Sequence, residues 1–295
     1  MSLVIGAVQE KRVFPDHLAF LDLAVSLGFT WVEFKYEARI DPDGMLRKEA
    51  GTHLGKLAQS QNLAISVHAA FDNGINLGST DKNLLRETRQ RIRESLEFAE
   101  RVNARYVTIH GGFFELGYTL EPDDQNAVPP FQLVREEMGS KAFESLKERI
   151  INELGTIREY ARKRGIVVAP ENLHGFSYDR TRFPVTPDDF HACRRALGDD
   201  LLLVYDAGHA HSTGLSASEF VSAIGPSNIV GSHIHDNDGS DDQHLPVGKG
   251  GIALQEFFMN YSQKGWSFPL NVEVRSKEHF IQSKQSISDS FANND

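Results

Sequence analysis

Eight short runs of apolar and β-branched residues recur along this chain of 295 residues, separated by longer polar stretches. Within each run the apolar character is nearly continuous, which is typical of parallel strands that are buried on both faces. The predicted strands are Val4–Val8, Thr30–Phe34, Ala64–His68, Tyr106–His110, Val167–Glu171, Leu202–Asp206, Ile229–Ile234 and Leu270–Val274.

The stretches between these runs carry apolar residues at helical spacing, as in Phe143, Leu146, Ile150 and Leu154. Eight strand–helix units in this length are typical of an α/β (β/α)₈ TIM barrel, and we expect residues 1–295 to form one such domain. A doubly wound open sheet is the alternative. It usually has a glycine-rich phosphate loop after the first strand, and residues 6–10 do not supply one.

The stretch 113–141 in the fourth strand-to-helix connection is unusually long and contains Pro122, Pro129 and Pro130. The pattern predicts an irregular loop at the face where barrels keep their active sites. Long loops in such places often close over a substrate, so we interpret this segment as lid-like.

Charge and cysteine content limit the partners that we expect. The net charge is −10, with 31 Lys and Arg against 41 Asp and Glu, so neither nucleic acid nor an anionic membrane is an expected partner. Cys193 is the only cysteine, which excludes an intrachain disulfide and fits a reducing compartment. The start of the sequence lacks a basic segment before its apolar run. We therefore expect a cytoplasmic protein, and a homo-oligomer is compatible with this composition.

Six consecutive predicted strands carry a histidine or a carboxylate at or near their carboxyl ends, and in a barrel these ends converge on one mouth. A convergent set of imidazoles and carboxylates suits a divalent ion such as Zn²⁺, Mn²⁺, Fe²⁺ or Co²⁺. The sequence therefore predicts a metal centre built from His68, His110, Glu171, Asp206, His233 and Glu273.

Neighbouring segments enlarge this predicted site. His209 lies three residues after Asp206, His235 shares a strand face with His233, and a polar loop brings Asp242 and His244. Further polar residues at strand ends or site loops are candidates for substrate binding. They are Glu33, Lys35, Asn172, His235, Lys249 and Arg275, of which Lys249 and Arg275 could hold a phosphate or carboxylate.

These motifs resemble the xylose isomerase-like TIM barrels, a superfamily that groups sugar-phosphate isomerases and epimerases with apurinic endonucleases of the endonuclease IV type. The resemblance extends from the first strand to Glu273. It rests on Ser66-Val67-His68, Ile109-His110-Gly111-Gly112, Pro170-Glu171-Asn172-Leu173, Asp206-Ala207-Gly208-His209-Ala210, His233-Ile234-His235-Asp236, Asp242-Gln243-His244 with Gly248-Lys249-Gly250, and Val272-Glu273-Val274.

The isomerase and epimerase branch implies one divalent ion (Mn, Zn, Co, Fe or Mg) held by Glu171, Asp206, His233 and Glu273. Glu171 and Glu273 would then exchange a proton with a sugar or sugar phosphate through a metal-stabilised enediolate. In this branch the additional histidines orient substrate hydroxyls. A dehydratase or lyase acting on a hydroxy-ketone would need the same residues, so it stays an open alternative.

The endonuclease branch implies three zinc ions held by nine ligands, and all nine positions carry the expected residue type: His68, His110, Glu171, Asp206, His209, His233, Asp242, His244 and Glu273. Other positions depart from that branch. Gly208 stands where it usually has Cys or Thr, and Val8-Gln9-Glu10 stands where it has a His and a Gly pair. We therefore expect a metal-dependent sugar isomerase or epimerase with a small carbohydrate-like substrate.

Overall fold

The structure is a computed structural model and describes residues 3–37, 41–42, 44–71, 74–121 and 128–292. The described residues form ten strands. They are β1 (Ile5–Val8), β2 (Trp31–Lys35), β3 (Ala64–His68), β4 (Val107–Ile109), β5 (Gly112–Glu115), β6 (Val168–Pro170), β7 (Arg180–Phe183), β8 (Leu203–Asp206), β9 (Ile229–Ile234) and β10 (Leu270–Val272).

Eight of these strands form one parallel sheet in the order β6-β4-β3-β2-β1-β10-β9-β8. A parallel bridge between Glu171, just after β6, and Val204 in β8 joins the two ends of the sheet. The predicted (β/α)₈ barrel is therefore confirmed, and each of its strands begins and ends within two residues of the predicted bounds. That the whole chain forms a single domain stays a prediction.

Helices flank the barrel: α1 (His17–Ser26), α2 (Lys48–Ser60), α3 (Lys82–Val102), α4 (Pro130–Met138), α5 (Ser140–Arg162), α6 (Pro187–Leu197), α7 (Ala207–His211), α8 (Ala217–Ile224), α9 (Leu254–Gln263) and α10 (Lys277–Ala292). Local signals fix several of their ends. Thr186 and Asp189 form a capping box at the start of α6, and Asp81 accepts two backbone N–H groups at the start of α3. Within the described residues, no helix combines the length and apolar character that crossing a membrane requires.

Apolar side chains from strands and helices make up the core between the barrel and its outer layer. Phe20, Leu54, Phe257 and Phe280 are fully or almost fully buried there. His17, which a helical position suggests to be solvent-facing, is also fully buried. Its ring lies against two phenylalanines, because α1 places this first-turn residue toward the barrel rather than away from it.

The prediction of an irregular loop at 113–141 is wrong for the residues that the structure describes. β5 pairs with β7 in an antiparallel two-stranded sheet, with Gly112 opposite Phe183 and Glu115 opposite Arg180. The helix α4 follows, and α5 begins at Ser140. Proline at the start of α4 obscures the helical pattern in the sequence, although it is compatible with a first helical turn. Residues 122–127 lie outside the described residues, and a lid role stays a prediction.

Candidate metal centre and active site

The predicted convergence of strand ends occurs at the carboxyl end of the barrel, and Glu171 lies at its centre. Nε2 of His68, at the end of β3, lies 3.3 Å from Oε2 of Glu171. Nε2 of His110, which follows β4, lies 3.0 Å from the same oxygen. One carboxylate therefore joins the ends of three barrel strands, and it is almost completely buried.

His233 in β9 brings the remaining carboxylates into the same cluster. Its Nδ1 lies 3.0 Å from Oε1 of Glu171, 3.0 Å from Oε2 of Glu273 and 3.6 Å from Oδ2 of Asp206. Burial lowers the pKa of His233, but the carboxylates of Glu171 and Glu273 outweigh this effect and raise the pKa well above its usual value. Three buried carboxylates around one nitrogen thus make this point strongly negative, so that a cation there is stabilised.

Glu33 in β2 lies beneath this cluster and has no exposed surface. Its Oε1 accepts a hydrogen bond from Nε2 of His233 at 2.8 Å, and its other oxygen accepts one from Ser66 at 2.7 Å. Because β2 and β9 are not neighbours in the sheet, this bond crosses the barrel interior. Predicted as a substrate ligand, Glu33 instead lies where it fixes the His233 ring, which leaves Nδ1 directed at the three carboxylates.

A second group of ligands adjoins the first through Asp206. Nε2 of His235 lies 3.2 Å from the Asp206 carboxylate, and the His235 ring stacks on that of His244 at 4.1 Å. Oδ2 of Asp242 lies 3.1 Å from Nε2 of His244 and 3.4 Å from Nε2 of His209. The nine positions of the endonuclease-type ligand set therefore form one connected cluster, together with His235.

Backbone carbonyls set the orientation of three of these imidazoles. In each ring Nδ1 donates to a carbonyl oxygen, so that Nε2 faces a carboxylate of the cluster. The pairs are His68 with Ala69 at 2.8 Å, His209 with Asn172 at 2.8 Å, and His244 with Glu273 at 3.2 Å. This is the arrangement in which a neutral histidine binds a metal ion.

The donor set fits a divalent cation. The ligand atoms of Glu171, Asp206 and His233 all lie within 4.8 Å of one another. Among the described residues, Nδ1 of His235 and Oδ1 of Asp242 are buried and have no hydrogen-bond partner. Such orphaned atoms are costly unless something binds them, and mixed imidazole and carboxylate donors suit Zn²⁺, Mn²⁺, Fe²⁺ or Co²⁺.

Gly208, at the start of α7, makes room for His235. A Cβ atom on residue 208 would lie 1.9 Å from Cε1 of His235, which is too close for any side chain. The Cys or Thr that the endonuclease branch carries there is therefore incompatible with this position of the His235 ring.

The other predicted substrate ligands differ in burial and in their distance from the ligand cluster. Lys35 is buried, and its Nζ donates to Oε1 of Glu273 at 2.6 Å. The side-chain amide of Asn172 donates to the backbone carbonyl of Asp206 and accepts a hydrogen bond from the backbone N–H of Asp206. Arg275 is exposed and donates to the carbonyl of Asp242 at 3.4 Å. Lys249 is exposed, and none of the described contacts joins its side chain to the cluster.

A cavity of about 210 Å³ opens beside the ligand cluster and shares His110, His209 and Asp242 with it. Its other walls include residues that the sequence patterns do not single out: Phe71, His174, Arg180 and Arg182. The alternation of half-buried arginines with buried Thr181 and Phe183 was the available signal, because it is the pattern of a half-buried strand. It was obscured by the position of this strand inside a loop.

Known proteins share this fold. The chain is 25% identical over 240 residues to the uncharacterized protein MJ1311 of Methanocaldococcus jannaschii, covering 80% of this chain and 73% of that protein. The crystal structure of a D-tagatose 3-epimerase-like protein is 21% identical, with a TM-score of 0.78 over 99% of this chain and 98% of the other. D-psicose 3-epimerase of Clostridium cellulolyticum H10, solved with D-tagatose, is 12% identical, with a TM-score of 0.71 over 99% and 100%.

A sequence profile described as xylose isomerase-like TIM barrel matches residues 21–292, which is most of the chain. This match covers seven of the eight barrel strands in full, all except β1, and every residue of the ligand cluster. The chain belongs to the family of xylose isomerase-like TIM barrels.

Proposed function

We propose that this protein is a metal-dependent sugar isomerase or epimerase in which Glu171 and Glu273 exchange a proton with the substrate. The observation that carries the proposal is the placement of these two carboxylates, each 3.0 Å from Nδ1 of His233 and each at the end of a different strand. A divalent ion held by these three residues and Asp206 supplies Lewis acidity toward carbonyl and hydroxyl oxygens of a sugar.

Both glutamates are held in the ionised form that a proton acceptor needs. Burial raises the pKa of Glu171, but the charges of His233 and His110 outweigh it and hold the pKa well below its usual value. Burial likewise raises the pKa of Glu273, and Lys35 and His233 outweigh it. One carboxylate removes the proton next to the carbonyl carbon, and the other returns it.

The surroundings of the cluster suit a small polyol. His110 is the most exposed of the imidazoles around Glu171 and also lines the cavity, so it is placed to bind a substrate hydroxyl. Phe71 packs against the rings of His68 and His110 and provides an apolar wall. The structurally similar sugar epimerases support the same choice of substrate class.

An apurinic endonuclease with three zinc ions is the second candidate, because all nine of its ligand positions meet in one cluster. The contact between Gly208 and His235 and the net charge of −10 favour the sugar enzyme. A DNA enzyme must neutralise several phosphates, and this chain offers an excess of acids.

Hydrogen exchange with solvent separates the two candidates. Purified protein loaded with Mn²⁺ or Zn²⁺ is incubated in D₂O with a panel of ketoses and ketose phosphates, and deuterium at carbon is measured by mass spectrometry. We expect incorporation into at least one sugar and its loss in Glu171→Gln and Glu273→Gln. The exposed Glu278→Gln on α10 is the matched control and should retain full exchange.

The same preparations are tested on a DNA duplex that carries a single abasic site. We expect no incision at low salt. Efficient nicking without sugar exchange, together with about three zinc ions per chain, would replace the proposal by the endonuclease. Exchange that persists in both glutamate variants would refute the assignment of these residues.

A further inference from the structure

The two-stranded sheet of β5 and β7 brings positive charge to the cavity beside the ligand cluster. Arg180 and Arg182 are two residues apart in β7, so their side chains lie on one face of the strand, and both line the cavity. The intervening Thr181 is fully buried on the other face. The register of this small sheet therefore determines which residues face the cavity.

Among the residues that the structure describes, no carboxylate forms a close ion pair with Arg182, although the charges of Asp242, Asp179 and Asp241 act on it from farther away. Its Nη1 donates to Oγ of Ser177 at 3.1 Å and to the carbonyl of His174 at 3.4 Å, and both acceptors are neutral. Burial and then the charge of Arg180 lower the pKa of Arg182 to about 10. The guanidinium is thus charged at neutral pH in a place where a further anion would stabilise it.

Arg180 is partly compensated. It pairs with Glu115 across the small sheet, on a side where both residues are partly exposed, and its guanidinium lies 4.4 Å from the centre of the Phe113 ring. An exposed ion pair of this kind is weak. Arg180 therefore keeps the capacity to bind an anion in the cavity.

His174 connects the arginines with the ligand cluster. Its ring centre lies 5.5 Å from that of His209, and its carbonyl is the group that Arg182 binds. Among the described residues its Nδ1 is buried without a hydrogen-bond partner, which leaves that nitrogen available to a ligand.

Asp242 is the acid that lines the same cavity. Its Oδ2 lies 3.4 Å from Nε2 of His209 and 3.1 Å from Nε2 of His244. Its negative charge is thus engaged by two imidazoles of the cluster. The cavity has an acidic wall at the ligand cluster and a basic wall at β7.

We propose that Arg182, with Arg180 and His174, forms an anion subsite that binds the phosphate or carboxylate of the sugar whose carbons react at Glu171 and Glu273. This inference rests on the proposed function and adds a substrate class to it, namely anionic sugars. Guanidinium groups match the oxygens of both anions. Because the cavity shares His110 and His209 with the cluster, one molecule can occupy both.

Binding of small anions tests the subsite without catalysis. Inorganic phosphate and acetate are titrated by calorimetry into the full-length protein, both loaded with metal and after removal of metal with EDTA. We expect binding in both states, and a loss of at least about tenfold in Arg182→Gln, since charge-assisted hydrogen bonds are lost. Stronger binding of phosphate assigns a sugar phosphate, and stronger binding of acetate assigns a sugar acid.

The exposed Arg195→Gln in α6 changes the net charge equally and should bind like the unaltered protein. Should Arg182→Gln fail to fold, Arg182→Lys and Arg180→Gln replace it. Unchanged binding in these variants, absence of binding for both probes, or a loss only in Lys249→Gln would overturn the subsite. Anion binding through Arg182 without any sugar exchange would retain the subsite and refute the proposed function instead.

Discussion

Replacing Glu33, which lies beneath the ligand cluster, should weaken metal binding although this residue is not a predicted metal ligand. Its carboxylate holds Nε2 of His233 at 2.8 Å and is itself held by Ser66 and Thr108. Glu33→Gln keeps an acceptor but removes the charge, whereas Glu33→Ala removes both. Loss of such supporting partners reduces metal affinity by about 10- to 100-fold, or roughly 1.4–2.7 kcal/mol. We expect about tenfold for Gln and about 100-fold for Ala.

The measurement is a competition between the protein and a fluorescent chelator for Zn²⁺ or Mn²⁺ at constant pH, which gives the ratio of dissociation constants. Ser66→Ala is the matched control: it removes one hydrogen bond to Glu33 but leaves the bond to His233, so we expect a change of less than about threefold. Circular dichroism checks that each variant is folded. Dissociation constants within twofold of the unaltered protein in both folded Glu33 variants would refute the idea that Glu33 orients a metal ligand.

Two further predictions concern close packing. Gly208→Ala should reduce deuterium exchange by on the order of 100-fold while leaving the fold intact, because the new Cβ displaces His235. Gly155→Ala in α5 is the control and should retain full exchange, because the flexible leucine that lies 3.1 Å from the new Cβ can move. Equal exchange activity in the two variants would disprove the steric argument. Cys193 is fully buried, and burial together with Asp189 raises the pKa of its thiol to about 12. The native protein should therefore not react with a disulfide reagent at pH 8, whereas unfolded protein should react with one equivalent; rapid labelling of the native protein would show that this core opens readily.

The sequence by itself determined the barrel and most of its candidate ligands. Each barrel strand is buried on both faces, so it is recognisable as a continuous apolar run, and the first polar residue after the run marks its carboxyl end. In a barrel these ends must meet. His68, Asp206 and Glu273 could therefore be assigned to one cluster before any distance was known. The spacing of Asp206 and His209 suits a helical turn, and the helix α7 begins directly after Asp206.

Only the tertiary structure decided which way several polar side chains face. A strand residue that points into the barrel and one that points toward the helices are both buried, so hydrophobicity cannot distinguish them, and Glu33 could be placed beneath His233 only through a contact across the barrel. No sequence pattern as clear as the apolar strand runs indicated the residues of the cavity wall. Arg182 faces the cavity because of its register against β5, a pairing between segments almost 70 residues apart that local sequence patterns do not encode.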